Sequence, residues 1–211
     1  MDQMPVGSAQ VICLTPPDAT LVERCRANDR TAFNEVVSRY KNRVYNYLYR
    51  MLGNASDAED LTQEVFVRLY TSLDSFRSQA SLNTWLFRIA SNLCIDYFRR
   101  SKKHRAIAYS LDEPLGGDAE ASEGSGASHE VSDTTYEPHR LAERQELSEQ
   151  IQVALAGLPE KLRAVLLLHD IEGIPYEEIA QVVGCPLGTV KSRLFNARLQ
   201  LRQRLTGYLH S

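Results

Sequence analysis

The residues best equipped for chemistry lie near the C-terminus. Thr189, Ser192, Arg193 and Asn196 fall three and four positions apart, so on a helix they share one face, with Lys191, Arg198, Arg202 and Arg204 nearby. Short hydroxyl and amide groups hydrogen-bond base edges, arginine forks onto guanine, and flanking cations meet phosphates. Such a face suits a DNA major groove. From Pro186 to Ser211 there is no Asp or Glu. A basic outer face that only holds a protein partner is the alternative reading.

Chemistry of other kinds finds no residues to carry it. His104, His129, His139, His169 and His210 show no metal-ligand spacing with Cys or carboxylates, and no G-x-S-x-G or Gly-rich phosphate loop occurs. We expect no catalytic residue, no metal and no cofactor. His169, following Leu166-Leu167-Leu168, reads as structural rather than as a ligand. Cys13, Cys25, Cys94 and Cys185 lack C-x-x-C spacing, which fits a reduced, cytoplasmic protein without a disulfide framework. A thiol switch through Cys94 or Cys185 is open, although isolated buried cysteines are usually inert. No apolar run approaches the roughly 20 residues of a membrane span, and the start lacks the pattern of a signal peptide.

The elements that must position the basic face are helical. In YEEIAQVVGCPLGTVKSRLFNARLQLRQRL (Tyr176–Leu205), Ile179, Val182 and Val183 precede Gly184-Cys185-Pro186. A second apolar stripe then follows at Val190, Leu194, Ala197, Leu201 and Leu205. Gly184 can take φ > 0 where the first helix stops, and Pro186 suits the start of the next. The pattern is a helix-turn-helix. Upstream, Leu158-Pro159 opens a helix reaching Gly173, and a further periodic region from about Arg140 carries Leu141, Leu147, Ile151, Val153 and Leu155.

The N-terminal half is helical too. Asp18 is placed to cap a first helix through Leu21, Val22 and Cys25, and Asp29 a longer one ending at Gly53-Asn54. Ser56-Asp57-Ala58-Glu59 reads as a capping box, opening a helix that buries Leu61, Val65, Phe66, Leu69 and Tyr70. Asp57, Asp60, Gln63, Glu64 and Arg68 are left for its solvent side. After Ser81 a helix with Trp85, Leu86, Ile89, Leu93 and Tyr97 inward ends in Arg99, Arg100, Lys102 and Lys103. Those cations either track a nucleic-acid strand or complement the helix dipole. Trp85 shares the inner stripe with Ile89, so it reads as core rather than as a stacking platform.

The whole chain has 211 residues, 43% of them hydrophobic, and a net charge of −3. That average hides segregation. Leu111–Pro138 is rich in Gly and Ser and holds eight acidic residues from Asp112 to Glu137 with no Lys or Arg, so it cannot build a core. We expect an all-α protein: a flexible leader over 1–17, a helical domain over 18–108, a flexible acidic linker over 109–139, and a second helical domain over 140–211.

Three stretches in order carry a resemblance: DAEDLTQEVFVRLY (Asp57–Tyr70), TWLFRIASNLCIDYFRR (Thr84–Arg100) and LPEKLRAVLLLHDIEGIPYEEIAQVVGCPLGTVKSRL (Leu158–Leu194). Together they resemble an extracytoplasmic-function sigma factor of bacterial RNA polymerase. The resemblance covers nearly everything except the leader and the linker, and implies sigma domains two and four on a tether. It assigns the face around Asp57, Asp60, Gln63 and Glu64 to the polymerase core, where the plain alternative is a solvated helix face. It assigns the loop from Phe76 to Asn83, with Arg88 and Asn92, to reading and melting the −10 element, and Arg99, Arg100 and Lys102 to the separated strand. The −35 element then falls to Thr189, Ser192, Arg193 and Asn196, with Lys191 and Arg198 on phosphates.

Two departures bear on that transfer. Pro175 stands where members often have a Ser or Thr cap, and Asn196 where they often have a basic residue. Many members are held inactive by an anti-sigma protein that covers both domains, and the resemblance admits such a partner here. The acidic linker is either an anionic mimic in polymerase channels or a solubilising spacer. Two rival functions stand against the sigma reading. An enzyme has no constellation to work with, and a sensor-type regulator has no need of the motif at Thr84–Arg100.

Overall fold

The computed structural model describes residues 17–73, 81–111 and 138–209. The expected leader, Phe76 and the acidic tract 112–137 lie outside the described residues. The order is α1 (Asp18–Arg26), α2 (Arg30–Leu52), α3 (Ala55–Ser72), α4 (Leu82–Leu111), α5 (Pro138–Ala156), α6 (Glu160–Leu166), a π-helical turn (Leu167–Ile171), α7 (Tyr176–Val183) and α8 (Leu187–Leu209). Among the described residues there is no strand.

Local chemistry sets the helix boundaries. Asp29 caps α2, its carboxylate accepting from the Thr31 and Ala32 amides at 2.9 and 3.3 Å. Hydrogen bonds from Thr31 and Arg24 hold that carboxyl well below the usual range. Asn28, at φ 60, makes the preceding turn, and Gly53, at φ 77, ends α2 in the left-handed conformation. Two caps differ from expectation. Pro17, not Asp18, precedes the first turn of α1, and Asp18 instead binds Arg39 at 2.7 Å and the Tyr40 hydroxyl. The carboxylate is more useful across the α1–α2 contact than to its own helix end. At α3 the helix starts one residue before Ser56, so the Asn54 side chain accepts from the Asp57 amide at 3.2 Å and no Ser56 box forms.

Helices α1 to α4 form the first unit. Leu21, Val36, Val44, Leu48, Val65, Leu69, Leu86 and Leu93 are buried in its core. The inner stripe of α4 is rotated from the expected one: Phe87 and Cys94 are fully buried, whereas Trp85 and Ile89 are half-buried and pack at the edge. Phe87 meets the buried Tyr47 ring edge-on at 5.3 Å, and the Tyr47 hydroxyl lies 2.8 Å from Ser91 Oγ. Tyr70, expected inside, is 52% exposed and meets the Phe33 ring edge-on. Its position follows Leu69 by one residue, which turns it about 100° away from the core.

Helices α5 to α8 form the second unit around Leu158, Val165, Leu168, Ile174, Ile179, Val190 and Leu194. The periodicity expected to bury Leu147, Ile151 and Val153 does not do so; Leu147 and Val153 are well exposed, and α5 buries Ala154 and Leu155. A short contact through its C-terminal end suffices to seat this helix. Arg163 is 6% exposed and donates to the Ala156 and Leu158 carbonyls at 2.6 and 3.1 Å, closing the α5–α6 turn. His169 is structural: its Nδ1 lies 3.1 Å from the Ile174 carbonyl and its ring stacks on Tyr176 at 4.5 Å.

The two units pack together. One apolar cluster runs through both, and α4 lies against α7 while α2 lies against α5 and α6.

Candidate nucleic-acid interface

The helix-turn-helix is built as its backbone constraints require. α7 buries Ile179 and Val182, and Gly184 takes φ 62 with its amide donating to the Ala180 carbonyl. Pro186 then offers its carbonyl to the amides of Thr189 and Val190 at 2.9 and 3.1 Å, starting α8. Val190, Leu194 and Ala197 are buried against α6 and α7. That burial turns Lys191, Ser192 and Asn196 to solvent, with Thr189 and Arg193 half-buried beside them. The Ser192 hydroxyl donates to the Thr189 carbonyl, and Arg193 Nη1 approaches Cys185 Sγ at 3.5 Å, which lays its stem along the turn. Arg198 is set apart from this group. It forks onto Asp170 of the π-helical turn, with Nε 3.0 Å from Oδ2. Phe195, 70% exposed, and Leu199 escaped the sequence reading; their i, i+4 spacing off the Val190–Leu194 stripe is the signal for an apolar edge on α8.

On α4, Arg88 and Asn92 are exposed one turn apart, and Ile95 and Arg99 continue that face. Asn83, in the first turn, is half-buried. The helix runs on to Leu111. Arg99, Arg100 and Lys102 are therefore internal, and dipole effects fade beyond the last turn, so complementing the helix end does not explain them. Arg99 pairs with Asp96 at 3.3 Å, and Lys102 reaches Glu160 of the second unit at 2.9 Å.

The acidic face of α3 divides. Asp60 and Gln63 are exposed, Glu64 pairs with Arg68 at 2.7 Å, and Asp57 accepts from the Tyr97 hydroxyl at 2.7 Å, tying α3 to α4. Val67 and Tyr70 extend the stripe of Asp60 and Gln63 with exposed apolar surface, which the sequence reading missed. A face polar at one end and apolar at the other suits a partner helix better than carboxylates alone.

The cysteines separate by environment. Cys94 is fully buried, and burial pushes its thiol up to about 12; Cys25 is buried and raised for the same reason, while Cys185 is half-exposed. Thiolate is the reactive form. In the native protein at neutral pH, iodoacetamide should label Cys185 while leaving Cys94 and Cys25 unmodified, as read by peptide mass spectrometry. Labelling of Cys94 at the rate of Cys185 would contradict that.

The Sigma-70 region 2 family model matches residues 36–104, and the Sigma-70 region 4 model matches residues 148–201. The ECF RNA polymerase sigma factor SigW of Bacillus subtilis is 36% identical over 184 residues, covering 87% of this chain and 94% of that protein. The chain belongs to the extracytoplasmic-function sigma factors. The sigma-E factor of Escherichia coli, 38% identical over 181 residues, covers 86% of this sigma factor and 90% of its own length. Solved structures share the fold. The sigma factor RpoE bound to the anti-sigma factor NepR from Bartonella quintana gives a TM-score of 0.61 at 22% identity, over 82% of this chain and 96% of that one. CnrH in complex with the cytosolic domain of CnrY gives 0.60 at 21% identity, over 90% and 97%. As a sigma factor, the protein is a promoter-recognising initiation subunit of RNA polymerase. No helix among its described residues is long and apolar enough to cross a membrane.

Proposed function

We propose that the first unit, about residues 18–108, binds the polymerase core and the −10 element, and that the second, about 140–211, reads the −35 element. The observation that carries this is the exposed α8 face: Ser192 and Asn196 open to solvent, Thr189 and Arg193 beside them, and no carboxylate along the helix. Lys191 serves a phosphate. Arg198 serves another only after leaving Asp170. On α4, Arg88 and Asn92 face the −10 strand with Arg99 and Arg100 along its backbone. Phe76 belongs to the same site by resemblance, and Asn83 and Lys102 flank it.

Asp60 and Gln63, with Val67 and Tyr70, form the core-binding face, while Asp57 and Glu64 support it from their intramolecular bonds. Replacing Asp60 and Gln63 together with Ala should weaken competition for core polymerase by about tenfold or more, the size of a modest hot spot, with helical content unchanged. Undiminished competition would remove them from the interface. The sigma factor supplies selectivity rather than catalysis and acts in the cytoplasm, where an anti-sigma protein can hold it. Run-off transcription with purified core enzyme and genomic DNA tests the whole reading: added protein should produce discrete promoter-specific starts, and starts no more selective than those of core alone would overturn it.

A further inference from the structure

The basic surface of α8 meets a carboxylate supplied by another element. Asp170 lies on the π-helical turn, and Arg198 forks onto it, donating from Nε to Oδ2 at 3.0 Å and from Nη2 to Oδ1 at 2.5 Å. One guanidinium thus engages both carboxylate oxygens, the geometry in which arginine also holds a phosphate. The turn itself is braced. His169, next to Asp170, stacks on Tyr176 at 4.5 Å, and its Nδ1 lies 3.1 Å from the Ile174 carbonyl. Asp170 therefore sits on a short stem and a fixed support, whereas the Arg198 guanidinium ends a long stem that can swing to a new partner. Water reaches the pair, whose side chains are 51% and 30% exposed.

Arg198 belongs to a row of cations. Lys191 stands seven residues before it and Arg202 four after, so the three line one flank of α8, and all are exposed. That flank borders Ser192, whose hydroxyl lies on the face proposed for base edges. A phosphate arriving there finds Arg198 already holding an anion in the bidentate manner a phosphate would use. Exchanging one fork for the other conserves hydrogen bonds, but it leaves the Asp170 carboxylate uncovered beside DNA. An exposed ion pair contributes little to holding two elements together. An uncovered negative charge close to a phosphate opposes binding at short range. These two effects give Asp170 more weight in recognition than in folding.

We propose that Asp170 sets the strength of the −35 contact by competing with a DNA phosphate for Arg198. The inference rests on the reading of α8 as the −35 helix. Asp170 is a positioning residue here: it acts through Arg198 and does not itself touch a base. Phosphate contacts carry no sequence information, so the competition lowers affinity for every site alike and leaves selection to the base-reading side chains.

The test uses holoenzyme assembled from core polymerase and the full-length protein, binding a duplex promoter fragment found by run-off transcription. Affinity is measured from about 50 to 200 mM salt, the range in which phosphate contacts are most visible. Asn keeps the size and shape of Asp, so the turn is preserved in Asp170→Asn. This variant should bind about two- to fivefold more tightly at the low-salt end, the fold-change that an exposed ion pair represents. Its plot of log affinity against log salt should steepen by about 0.9, the increment for one further neutralised phosphate. Adding Arg198→Gln to Asp170→Asn should abolish both gains. Weaker binding by Asp170→Asn would show that the fork braces α8, and unchanged binding that no competition exists; either overturns the proposal. Gains that persist in the double variant would also overturn it, since Asp170 would then repel DNA without Arg198. Lys191→Gln reports on the −35 reading itself. A slope shallower by about 0.9 in that variant, with no effect of Asp170→Asn, removes the Asp170 assignment alone. An unchanged slope in both takes α8 off the phosphates and removes the two together.

Discussion

Replacing Arg163 with Met should lower stability by about 3 kcal/mol in urea denaturation, the largest effect expected of any single change here. The guanidinium is buried yet donates to three carbonyls: Ala156 and Leu158 within its own unit and Met51 across the contact. Hydrogen bonds from a charged donor contribute about 1.5–3 kcal/mol each, and buried acceptors left empty add their own cost. Against this stands the desolvation that depresses the arginine's pKa, which Met relieves, so the net is below the sum. Met matches the stem in length and keeps the apolar contacts with the core. A loss under 1 kcal/mol would show that water replaces the donor at these carbonyls.

Arg193→Ala should reduce discrimination at one −35 base pair by about 1–3 kcal/mol, that is roughly five- to 150-fold, if its fork reaches a guanine. The helix-turn-helix predisposes it to do so, since Leu194 is buried next to it and the guanidinium lies by Cys185 at the mouth of the turn. Competition between promoter variants in transcription by the holoenzyme is the measurement. Loss confined to one base pair identifies a base contact. A uniform loss across sequences identifies a phosphate contact, and an unchanged preference removes Arg193 from recognition altogether.

The legible parts of this protein were those that backbone stereochemistry decides. Gly53 and Gly184 ended helices because only a residue without a Cβ takes positive φ cheaply, and Asp29 capped α2 because its oxygen reaches two free amides. The helix-turn-helix followed from those signals and the Val190–Leu194–Ala197 stripe. Less legible was anything depending on a second element. Periodicity gives the width of an apolar face but not its rotation, so Phe87 was missed and Tyr70 placed inside. Leu147 and Val153 looked like core because nothing in the sequence says that α5 docks by its end. Asp57 and Arg198 read from the sequence as facing an outside partner, and nothing there announces their bonds to Tyr97 and Asp170. Charged side chains carry no mark of whether their partner lies inside the molecule or beyond it.

The end of α2 has a consequence for dynamics. Its final carbonyls are satisfied by side chains about a hundred residues away in the sequence, so the order of this turn is held from a distance. Once those donors withdraw, water can occupy the same oxygens but cannot restrain them. The turn then frays, and the entropy it regains partly compensates for the contacts given up. Amide exchange near Leu52 should therefore report whether these donors are in place.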